Sequence, residues 1–170
     1  MTNATMKEPT RHSAADHDIS GLADRLLKIT LAINLAMPAF LFLFAYLLRS
    51  MEILPVGGLV PAEALQIIFF ALLFVAVSEV AVAFVLKKMF FSPERVRPTL
   101  DNPDAFAKLV TGGSVALAAL GAASMIYGII LFILGMDMGR IALFALISMV
   151  HFRLFRPTSD FLRSVITQAT

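Results

Sequence analysis

The 170-residue sequence has no cysteine, no tryptophan, only three histidines and few charges, 15% of its residues. Without cysteine there can be no disulfide staples, thiol nucleophile, thiolate zinc site or iron–sulfur cluster. Haem held by facing intramembrane histidines is excluded as well, because only His151 lies in an apolar run. The scarcity of charge is the more informative lack, since an average soluble domain carries about 25%. A small globule buries only about two-thirds of the surface of its unfolded chain. That is too little to hide 59% hydrophobic residues at a mean hydropathy of +0.85. A soluble enzyme, a disordered regulator and a disulfide-rich secreted domain are thereby excluded, which leaves an integral membrane protein.

Phosphate-binding glycine loops, a dinucleotide fingerprint and an HExxH metal motif are all missing from the sequence. No Ser-His-acid set is visible either, so no enzymatic activity and no cofactor are expected. His12, Asp16, His17 and Asp18 are close in sequence, but in a polar arm they read as solvated side chains, and no metal site is expected.

Four apolar runs are present, at residues 29–48, 64–86, 109–134 and 139–156. Crossing about 30 Å of hydrocarbon takes roughly 20 residues of helix. The first three qualify by length. The fourth spans only if Arg140, Arg153 and Arg156 extend to the interfaces. The expected fold is an all-α bundle of four transmembrane helices spanning residues 19–170, behind a disordered cytoplasmic arm at 1–18.

The cations are distributed unevenly. Lys7, Arg11, Arg25 and Lys28 precede the first run, and Lys87, Lys88, Arg95, Arg97 and Lys108 lie between the second and third. Arg153, Arg156 and Arg163 follow the core of the fourth, and only Arg49 and Arg140 fall in the other two connections. The positive-inside rule then puts both termini in the cytoplasm of an inner (plasma) membrane. The same asymmetry explains the pI of about 9.2 without nucleic acid. Lys87, Lys88, Arg95 and Arg97, in a proline-stiffened connector, form the expected docking surface for lipid headgroups or a cytoplasmic partner.

The polar N-terminus has no apolar core ending in a cleavage site, so it does not read as a signal peptide. Residues 19–28 and the segment after Pro157 each alternate apolar and polar groups at helical spacing. Both read as interfacial helices, the second capped by Ser159 or Asp160 with Phe161, Leu162, Val165 and Ile166 toward the bilayer.

Small residues drive helix packing in lipid. Ser114, Ala118, Gly121, Met125 and Gly128 step by threes and fours along the third run, making one stripe. It can pack against the other spans of the chain or against a second copy. Pro38 reads as a packing kink in the first run.

Glu79 is the one acid deep in a run, eight residues before Lys87. That puts it about 12 Å from the basic end of its helix. A charged carboxylate there is costly, so it should be protonated, paired or facing a wet cavity. The same counting puts Asn34 and Ser114 at about 9 Å, and His151 slightly shallower. A polar cluster of Asn34, Glu79, Ser114 and His151 is the candidate ion or proton site. A Glu79 paired with His151 or Arg153 to fix packing is the alternative.

Asn102-Pro103-Asp104, a small-residue helix and then Ile126-Tyr127-Gly128-Ile129-Ile130 resemble the polar loop and second helix of rotor-ring proteolipids. These are the c subunits of F- and V-type ATPases, and the similarity covers residues 101–135. It implies a ring or ring-associated protein with a cytoplasmic loop. The family's carboxylate would fall at Gly121 or Ala122, so its ion site is missing or moved to Glu79. Three functional expectations stand: a non-catalytic accessory subunit with membrane partners or copies of itself, a small proton- or ion-coupled transporter using Glu79, or a rotor-like oligomer closed into a ring.

Overall fold

The computed structural model describes residues 11–170 apart from Leu54, Val56 and Gly57, with side chains from Ile19 onward. Helix α1, Arg11–Leu31, passes through a π segment, Ala32–Ala36, directly into α2, Met37–Ser50. Then follow α3 (Ala62–Phe90), the short α4 (Pro93–Val96) with a 3₁₀ turn at Arg97–Thr99, α5 (Pro103–Gly135), α6 (Met138–Phe155) and α7 (Ser159–Ala169). No strand occurs among the described residues. Four helical stretches are long and apolar enough to cross a membrane: Ile19–Ser50, Ala62–Phe90, Pro103–Gly135 and Met138–Phe155.

The expected interfacial helix at 19–28 is the foot of the first long helix. Ala23 and Leu26 are buried under it, while Asp24, Arg25 and Lys28 lie on its exposed side. The expected disordered arm falls outside the described residues up to position 10, and from Arg11 the backbone is helical. Ala14-Ala15, strong helix formers, belong to this extension.

The π segment has a local cause. Pro38 has no N–H to give the Asn34 carbonyl four residues back, and its ring would collide with that carbonyl in a regular α-helix. A wider turn just before the ring relieves the collision. It also serves packing, since Leu26, Thr30, Asn34 and Pro38 are all buried. Their spacing takes twelve residues over three turns, where a straight α-helix supplies roughly 11.

Helix α5 is the axis of the bundle. Over half of its most apolar stretch is buried, 56% against 11% for α3. It starts cleanly because Asn102 caps it, accepting from the backbone N–H of Asp104 and Ala105, with Pro103 in the first turn. It ends at Met136, in the left-handed conformation at φ 55°. The loop before α3 folds over this end, where Leu59 N–H donates to the Leu134 carbonyl at 2.7 Å. Gly58, at φ +88°, passes so close to Leu134 and Gly135 that a side chain would overlap their backbone.

Helix α6 has 18 residues. Its rise is about 27 Å, just under a hydrocarbon core. Asp137 caps its first turn through Gly139 N–H at 2.8 Å and pairs with Arg140 at 3.2 Å. Arg140 also lies over the Phe69 ring, 5.3 Å from its centroid.

Helix α7 departs from the expectation. Thr158, not Ser159 or Asp160, caps it, accepting from Phe161 N–H at 3.2 Å. Leu162 and Val165 pack with Leu26, Val96 and Phe106 instead of facing lipid, and the Phe161 ring meets Phe91 edge-on. The apolar stripe is satisfied by protein because α4 and the foot of α1 offer it a surface.

Candidate functional site

Asn34, Ser114 and His151, expected at similar depths, come together. They line one small cavity with Thr30, Leu117 and Ala118. Its volume of about 10 Å³ is room for no more than roughly one water molecule. The π segment aims Asn34 into it. Asn34 Nδ2 donates to the Thr30 carbonyl at 3.0 Å, and Thr30 Oγ1 donates to Leu26 at 2.8 Å. Asn34 Oδ1 is buried without a hydrogen-bond partner.

On the opposite wall, His151 Nε2 donates to the Leu117 carbonyl at 3.0 Å. Its ring also lies against Phe155, with centroids 4.6 Å apart. One turn earlier on α6, Ser148 is fully buried and its hydroxyl has no partner.

Gly121 makes this meeting possible. A Cβ there would stand 2.7 Å from His151 Cδ2 and 2.9 Å from Asn34 Oδ1. The first helix and α6 therefore both reach the α5 backbone at one point. Gly128 does the same lower on α6, against Phe144 and Ile141. All five stripe residues are buried within the single chain, so the stripe packs the bundle. Gly121 and Ala122, the positions implied by the rotor-ring resemblance, are both inside this packing.

Glu79 does not join the cluster. It faces α5, where Tyr127 Oη donates to its Oε1 at 2.5 Å. Its other oxygen, Oε2, is buried and has no hydrogen-bond partner. The expected pairing with His151 or Arg153 is not what the geometry contains. Sequence reading missed Tyr127 as the partner. A hydroxyl on an aromatic ring in an apolar span needs an acceptor, and that signal was available.

Of the basic connector, Lys88, Arg95 and Arg97 are exposed. Lys87 differs, since its ammonium sits 4.4 Å above the Phe161 ring and 5.8 Å from Phe155, tying α3 to α6 and α7. Glu94, in the same connector, has its carboxyl held below the usual range by a hydrogen bond to its own backbone N–H and another from Ser92.

Among the described residues, no three His, Cys, Asp or Glu side chains gather as a metal site would require. His12, Asp16, His17 and Asp18 lie outside the residues whose side chains are described. No family model, curated protein or solved structure matches the chain.

Proposed function

We propose that this is a multi-pass protein of the inner membrane, with both ends and the connector at 91–102 in the cytoplasm, acting as a non-catalytic structural subunit of a membrane complex. The observation that carries this reading is how the polar groups are used. His151, Thr30 and Glu79 each bond a group of the bundle itself. The outer sides of α2 and α3 are apolar and open, with Phe40, Phe70 and Phe74 all more than half exposed. Such faces suit lipid or neighbouring subunits. Extraction in mild detergent and measurement of the native particle mass tests the reading. A large particle with other chains is expected, and a chain that always purifies alone overturns it.

A second reading is a small proton- or ion-coupled transporter with Glu79 as the carrier. The Glu79–Tyr127 contact favours it, because Oε2 is left with a free valence for a proton or cation. Proteoliposomes holding the native chain and Glu79→Gln decide this reading. Flux lost in the variant supports transport, and no flux in the native chain at any pH removes it.

A further inference from the structure

Helices α3 and α6 finish at the same end of the bundle, where the Phe84 and Phe155 rings meet at 4.8 Å. They meet again further along, where the Phe69 and Phe144 rings stand 6.4 Å apart, and between the two contacts lies an open groove of about 490 Å³. Its walls are carbon: Val77, Val80, Ala81 and Phe84 on α3, Leu146 and Val150 on α6. Glu79 points from another side of α3 toward Tyr127 and is not part of the lining. At this end of the groove the surface becomes cationic. Lys88 follows Phe84 by one turn and continues the α3 stripe, and Arg153 follows Val150 on α6; both are exposed.

The length of the groove argues for its occupant. From Val77 to Phe84 the helix rises about 10 Å, within one leaflet of a hydrocarbon core about 30 Å thick. A packed transmembrane helix would need a surface running through both leaflets. An acyl chain needs only one, and its headgroup would sit where the cations are. An exposed Lys and an exposed Arg at that end favour a phosphate without a balancing positive group.

We propose that the α3–α6 groove binds one anionic phospholipid, its acyl chain along Val77–Phe84 and its phosphate between Lys88 and Arg153. This holds whether or not the chain has protein partners.

Native mass spectrometry of the full-length detergent-solubilised chain tests it, with phosphatidylglycerol and phosphatidylcholine of identical acyl chains added separately. One phosphatidylglycerol per chain should be retained in preference. Each cation near a lipid surface contributes a factor that for two residues amounts to roughly 30-fold. Lys88→Gln with Arg153→Gln should reduce the preference to the phosphatidylcholine level. Arg25→Gln with Lys28→Gln removes equal charge from the exposed foot of the first helix and should leave it unchanged. Ala81→Phe should lower retention of both lipids, with Ala81→Leu as the smaller filling variant should the first fail to fold. Equal retention by the native chain overturns the proposal. So does equal loss in the two charge variants, which would mean diffuse attraction. A change of particle mass in Ala81→Phe without loss of lipid would assign the groove to a second protein chain and overturn it too.

Discussion

Gly121 and the Glu79–Tyr127 pair carry different kinds of constraint. At Gly121 the constraint is volume, because His151 and Asn34 already occupy the space of a methyl group. Gly121→Ala is expected to lower stability by about 1–3 kcal/mol, the usual effect of overpacking. Gly112→Ala, where nothing lies within 4 Å, should be neutral or slightly stabilising through helix propensity. Thermal unfolding in detergent compares the two. At Glu79 the constraint is valence. Tyr127→Phe leaves both carboxyl oxygens without a partner and should cost about 1–3 kcal/mol. Glu79→Gln keeps an oxygen for the Tyr127 hydroxyl and should cost less, and a double-mutant cycle would give their coupling. Sequence made Asn34, Ser114 and His151 legible as neighbours but misgrouped Glu79 with them. Counting residues from a basic end gives depth along a helix and says nothing about direction around it.

For the elements, apolar runs located all four long helices, because a stretch without charge in this setting has few other uses. The join between α1 and α2 was hidden. Asp24, Arg25 and Lys28 read as a boundary in hydropathy, whereas charges on an exposed side leave a helix uninterrupted. The π turn was foreshadowed only by Pro38, since a register shift is a property of packing against α5. The loop before α3 has its own test. Gly58→Ala places a side chain at φ +88° against the end of α5. A cost of about 1–3 kcal/mol is expected from that backbone conformation alone, read as a lower unfolding temperature.

For the whole molecule, charge asymmetry is the guide to sidedness. The absence of cysteine makes the chain its own blank for labelling. Single cysteines at Asp101 and Gln168, both exposed, should react with an impermeant maleimide only from the cytoplasmic face. Met51→Cys, at a residue 66% exposed, should react only from the other. Labelling of Met51→Cys from the cytoplasmic face and of Asp101→Cys from the other would reverse the proposed topology. Particle size and partners were not legible at this scale, since an open apolar face is the same to lipid as to a neighbour.

The α7 clasp bears on the order in which the protein is made. Leu162 and Val165 close over Leu26 and Val96, so this part of the interior draws on residues from both ends of the membrane region. It cannot be completed until the ribosome has passed residue 165, after all four spans have been synthesised. Until then, Leu26 and Val96 lack their cover at the membrane surface. Contacts this distant in sequence form late, which makes α7 a closing step in biogenesis: a nascent chain arrested before Ser159 would carry its spans but present an open apolar patch to chaperones and proteases.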